Sequence, residues 1–100
     1  MYKFHLGILS RGTISIKYSV WDMAKPSPSH AGSPVLVALG ASIRRIRLKK
    51  GFSQESVALA SELDRSYFGG IERGEHNVAV INLQKIAKAL DVSIKDLFIK

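Results

Sequence analysis

From Ser33 onward, apolar residues recur every three or four positions in five short runs, separated by only a few residues each. That spacing is the period of helices with one buried face, and it constrains the chain more than any other feature. Leu36, Leu39, Ile43 and Ile46 mark the first run; Ser33 stands as its cap, Pro34 suits its first position and Gly51 ends it. Ser53 caps the second run, "QESVALASEL", with Val57 and Ala58 inward. Asp64 caps the third, which stops at Gly74. A fourth runs from near Ile81 to Leu90 through Leu83, Ile86 and Ala87, and a fifth covers Ile94 to Phe98. Five short helices with short connections predict an all-α domain over residues 34–100.

The rest of the 100-residue chain is too short for a second ordinary domain. Residues 1–22 alternate apolar and polar twice, through Tyr2, Phe4, Leu6 and Ile8 and then Ile14, Ile16, Tyr18 and Val20, with "SRG" at 10–12 between them. One reading is a β-hairpin, which alone is marginal in water and needs a surface or a second copy. The other is an upstream extension of the reading frame without fixed structure, because "MAKPSPSHAGSP" from Met23 has the look of a start. Residues 23–33, rich in proline and serine and poor in apolar side chains, read as a linker.

A formal charge of +7 points to a polyanionic partner: DNA, RNA or an acidic membrane face. The plainer alternative is that basic residues only keep a small domain soluble. No cysteine occurs, which excludes disulfides and thiolate metal sites and agrees with a reducing cytoplasm. His5, His30 and His76 lie far apart, so no metal site or cofactor is expected. "FHLGIL" is too short for a secretory signal, and no run approaches the roughly 18 apolar residues of a membrane span. The protein is therefore expected to be soluble and cytoplasmic.

The third run holds the unusual feature, Gly69 and Gly70 side by side in "SYFGGIERG". Each glycine costs a helix interior roughly 1 kcal/mol relative to alanine. At about 100° per residue, Tyr67, Phe68 and Ile71 fall on one arc, and Arg65, Ser66, Gly69, Gly70 and Arg73 on the other. The glycines are thus expected to form a smooth outward strip, so that the helix backbone approaches a wall such as a DNA major groove while Arg65 and Ser66 reach past it. The competing reading is that the pair marks a loop or packs against a neighbouring helix. Two helices on a short turn, the second polar on its outer side, are the mechanical unit of a helix-turn-helix DNA reader.

These residues carry a family resemblance. From Ser42 to Phe98 the sequence resembles the phage-repressor and Cro type of helix-turn-helix domain, and within it the controller proteins of bacterial restriction-modification systems, through "LDRSY", "GIERG" and the asparagine and valine that follow before an apolar helix. The resemblance implies that Ser53 and Gln54 meet a backbone phosphate at a helix N-terminus, and that Arg65 and Ser66 read base edges. It places Arg73, His76 and Asn77 in a loop against the sugar-phosphate backbone. Tyr67 lies at the edge of the buried arc, with its hydroxyl either toward a phosphate or the central base steps, or in water from a half-buried core position. Arg47 and Glu72 are implied to form an ion pair tying the first helix to the third. Val92, Ile94, Leu97 and Phe98 are read as the apolar contact surface of a homodimer, which the resemblance also implies on double-stranded DNA, the alternative being that all four close the monomer core; RNA polymerase is read as a further partner at the protein's own promoter.

Three positions depart from that pattern: Glu62 where the turn usually has glycine, Ala79 where a serine often caps the fourth helix, and His76 where controllers often have arginine. The first is expected to strain a left-handed backbone and the second to lack a cap. The third is expected to make a weaker, pH-sensitive phosphate contact. The alternative function is a protein-interaction module, antitoxin-like or adaptor, that keeps this fold without reading DNA. No nucleophile with a nearby base, carboxylate pair or phosphate loop points to an enzyme.

Overall fold

The computed structural model describes residues 30–98. They form four α-helices and one 3-10 turn: α1 (Pro34–Lys49), α2 (Gln54–Ala60), α3 (Arg65–Glu72), α4 (Val80–Leu90) and the 3-10 turn Ile94–Phe98. The expected all-α architecture is present, with the fifth element a 3-10 turn instead of an α-helix. The readings for residues 1–22, and most of the linker reading, lie outside the described residues.

Each start follows its cap. Ser53 Oγ accepts from Ser56 N–H at 3.0 Å and opens α2. Asp64 opens α3. Ser33 occupies the N-cap of α1 but its side chain makes no capping bond, so the helix begins on Pro34 alone. Ala79 precedes α4 without a side-chain cap. Ser93 donates its N–H and its hydroxyl to Asp96 Oδ2, both at 3.0 Å, which starts the 3-10 turn.

All four α-helices end alike. In each, a residue with positive φ folds the chain back, and the next residue's N–H returns to a carbonyl of the last turn: Phe52 to Arg47, Leu63 to Ala58, Glu75 to Gly70 and Val92 to Ala87. The positive-φ positions are Gly51, Glu62, Gly74 and Asp91. Glycine takes this conformation without a Cβ clash; Glu62, at φ 61°, carries the strain its sequence position foretold. It also ends α2 at Ala60, three residues before the apolar pattern does.

The core gathers Leu39 and Ile43 of α1, Val57 and Ala58 of α2, Tyr67, Phe68 and Ile71 of α3, Leu83, Ile86, Ala87 and Leu90 of α4, and Leu97. α3 lies in the middle, packed on α1 and α2. The α1–α3 crossing is close: a Cβ at Gly40 would strike the backbone carbonyls of Ile71 and Glu72. Leu97 is fully buried in this core, and Val92 and Ile94 pack on it half-buried. The expected dimer surface is corrected at Leu97, which closes the monomer because the 3-10 turn folds back on α1 and α4; Val92 and Ile94 keep part of their surface and Phe98 is exposed. Ahead of α1, Gly32 N–H donates to the Gly74 carbonyl at 2.9 Å, tying the incoming chain to the loop after α3.

Candidate nucleic-acid interface

Asp64 Oδ2 accepts from the N–H groups of Ser66 at 3.0 Å and Tyr67 at 3.3 Å, which fixes the first turn of α3. Arg65 and Ser66 stand exposed on that turn; every later residue of the helix, Tyr67 to Glu72, is buried. The short link from α2 then holds the exposed end of α3 beside the start of α2.

A chain of hydrogen bonds supports it from within. Glu72, its side chain 2% exposed, receives Arg47 Nε at 2.6 Å and Arg47 Nη2 at 3.0 Å. Arg47 Nη1 donates to the Phe52 carbonyl at 3.0 Å, so one buried pair joins α1, the following loop and α3. Gln54 Nε2 donates to Glu72 at 3.0 Å, and Gln54 Oε1 accepts from Arg65 Nη1 at 3.2 Å. The exposed guanidinium of Arg65 is thereby linked through Gln54 to a buried carboxylate. A buried pair of this kind is strongly destabilising to break from one side, because the remaining charge is left unpaired.

The glycine pair is not an outward strip. Both glycines are buried, and this corrects the expectation that they form a bare surface against DNA. Gly69 does lie on the arc of Arg65, Ser66 and Arg73, but side chains arch over it: a Cβ there would lie 3.3 Å from Arg73 Nη1 and 3.4 Å from Gln54 Oε1. Gly70 faces the His76 ring, 2.5 Å from where its Cβ would be. Periodicity counted along one helix cannot register a loop that folds back onto it. The competing reading, a loop or packing on a neighbouring helix, holds in part: the pair stays helical, with Gly69 against the Gln54 side chain of α2 and Gly70 against the loop residues His76 and Glu75.

The same fold-back covers His76 and lays it beside a buried Tyr67. His76 is 5% exposed, its ring 4.8 Å from that of Tyr67, and its Nε2 has no hydrogen-bond partner among the described residues. Burial holds the imidazole below the usual histidine range; Glu75 opposes this and Arg73 adds to it. The ring is covered in this fold and does not present itself to a phosphate, the contact expected of it. Tyr67 is 7% exposed, and its hydroxyl accepts from Asn82 Nδ2 at 3.2 Å, so it belongs to the core and not to a half-buried edge.

Arg73 remains on the surface, its side chain 60% exposed, but it is held. Across the turn at Gly74, Glu75 accepts from Arg73 Nε at 2.8 Å and Nη2 at 3.2 Å. The hydrogen bond from Arg73 holds the Glu75 carboxyl below the usual carboxylate range. Ser53 and Asn77 are exposed. Two residues escaped the sequence reading. Glu75 signals itself only by lying two positions beyond Arg73 across a glycine. Arg44, with Nη1 3.9 Å from Glu72 Oε1 and its side chain 57% exposed, lies one helical turn before Arg47.

A short turn that holds the donor-rich start of one helix against another defines a helix-turn-helix protein. The helix-turn-helix family model matches residues 43–97, and the chain belongs to that family. It is 45% identical over 64 residues to the control protein C.BamHI of Bacillus amyloliquefaciens, covering 63% of this chain and 79% of that protein. Among solved structures, the restriction-modification controller protein C.AhdI from Aeromonas hydrophila superposes with a TM-score of 0.62 at 51% identity, covering 63% of this chain and 96% of that one. C.Esp1396I bound to a 25 base pair operator site superposes with a TM-score of 0.61 at 42% identity, covering 66% of this chain and 87% of that one.

Proposed function

We propose that this protein is a sequence-specific double-stranded DNA-binding transcription regulator that acts as a dimer on inverted-repeat operators, one of them at its own promoter. The observation that carries the reading is the exposed first turn of α3, where Arg65 is steadied by Gln54 and Ser66 stands beside it. Arg65 has the fork geometry to bond guanine O6 and N7, a pairing worth roughly 1–3 kcal/mol of discrimination. Ser53, Gln54, Arg73 and Asn77 serve the phosphates. C.Esp1396I, seen with an operator duplex, has the same fold at 42% identity.

Phe98, at 55% exposure, with Val80 and Ile81 of α4 at 71% and 58%, supplies apolar surface for a second copy. A twofold dimer sets its two recognition helices about 34 Å apart, one turn of duplex. Occupancy then regulates: a dimer over the promoter excludes RNA polymerase, and one just upstream recruits it.

The test is selection of bound duplexes from a random pool at two salt concentrations, followed by footprinting upstream of the protein's own coding region. An enriched inverted repeat with steep salt dependence is the expected result. Arg65→Ala should relax preference at one base pair in each half-site. A pool that enriches no motif would leave the fold as a protein-interaction module.

A further inference from the structure

The Arg73–Glu75 pair lies outside the buried core. It lies on the surface between α3 and α4, bridges residues only two apart, and leaves the Arg73 side chain 60% exposed. Yet its geometry is specific. The positive φ of Gly74 turns the chain so that Glu75 faces back toward α3, and two of the guanidinium's donor atoms, Nε and Nη2, point at its two carboxylate oxygens. The third nitrogen, Nη1, lies over Gly69, next to the Gln54 carbonyl that steadies Arg65. The clamp therefore lies directly beside the residues assigned to base reading, and it places a carboxylate on the face of a +7 chain that would meet a polyanion.

We propose that Glu75 is a specificity-determining residue, a carboxylate clamp that withholds Arg73 from DNA until a phosphate is fixed in register by a seated α3. The inference rests on the DNA-reading function above. A phosphate competes best with a carboxylate for a guanidinium when it presents two oxygens in the same fork geometry. In a loosely bound, sliding complex no phosphate stays in that position, so Arg73 keeps Glu75 as the partner of Nε and Nη2 and contributes less than a free arginine would. On the operator, α3 seats in the groove, one phosphate is held beside Gly69, and the guanidinium changes partner. Glu75 thus costs unselected DNA more than it costs the operator.

The experiment measures binding of the full chain, as wild type, Glu75→Gln, Arg73→Ala and the double variant, to two fluorescent duplexes across a series of potassium chloride concentrations. One duplex is the repeat enriched by selection and the other is an unselected sequence of equal length. Glu75→Gln is expected to tighten binding to the unselected duplex by roughly three- to tenfold, to steepen its salt slope by about one, and to change operator binding less. Adding Arg73→Ala should abolish that gain. The proposal is overturned by equal gains on both duplexes, by weaker binding to either, by an unchanged salt slope, or by a gain that survives Arg73→Ala. Wild-type protein that binds no duplex would remove the DNA-reading function and this inference with it, whereas wild-type binding with a flat Glu75→Gln response removes the clamp alone.

Discussion

Gly69 and Gly70 are neighbours in sequence with opposite tolerance for a methyl group. The atoms around Gly69 are the far ends of the long Arg73 and Gln54 side chains, 3.3 and 3.4 Å from where its Cβ would be, which can give by a few tenths of an ångström. Gly69→Ala should therefore gain up to about 1 kcal/mol from helix propensity. Gly70 faces the fixed ring of a buried histidine, so Gly70→Ala should lose about 1–3 kcal/mol through overpacking. Urea denaturation of the two variants tests the opposite signs. His76 makes its own prediction. Its imidazole titrates lower in the folded chain than the 6.5 of a free side chain, so the unfolded state takes up the proton first. Stability should be unaffected by His76 above that pH and should fall as the pH drops below it, continuing until the folded-state value is passed. Melting temperatures of wild type and His76→Gln between pH 7.5 and 5 should diverge, with the wild type losing more on acidification. Little of this was legible in the order of residues. The arc containing Gly69 and Arg73 could be counted, but the rest of the cover over Gly69 comes from Gln54, fifteen residues upstream.

At the scale of elements, starts and stops were the most readable part of the chain, because caps and left-handed turns act through bonds spanning only a few residues. Ser53, Asp64, Gly51 and Gly74 mark boundaries that the structure keeps. Two boundaries are imperfect, and each yields a prediction. Glu62 holds φ 61° at the end of α2 with a Cβ in the way, so Glu62→Gly should stabilise by about 0.5–1 kcal/mol. Ala79 leaves the start of α4 without a side-chain acceptor, and Ala79→Ser should contribute about 1 kcal/mol. The sites lie in different turns, so the gains should add in thermal melts of the double variant. The final element was less readable. Leu97 and Phe98 look alike in a helical pattern, but the tighter 3-10 turn drives the first into the core and leaves the second outside.

Over the whole molecule, one carboxylate organises the assembly of α1, α2 and α3. Glu72 takes two donors from Arg47 and one from Gln54, and Arg47 in turn binds the Phe52 carbonyl. Glu72→Ala should therefore cost about 3–5 kcal/mol, much of the stability of a domain this size. Replacing both partners, as Arg47→Met with Glu72→Leu, should recover most of the loss, since no buried charge is then left alone. Chemical denaturation of the single and double variants distinguishes a buried charge problem from lost packing. The pair was recoverable from sequence through family resemblance; its extension through Gln54 to Arg65 required three dimensions, because it joins residues from three helices. The bond from Gly32 to the Gly74 carbonyl has a practical outcome. It makes the polypeptide enter the domain at the rim of the surface assigned to DNA, so a bulky label joined just before His30 would crowd a docked duplex. Such a fusion should impair operator binding while leaving the melting temperature unchanged.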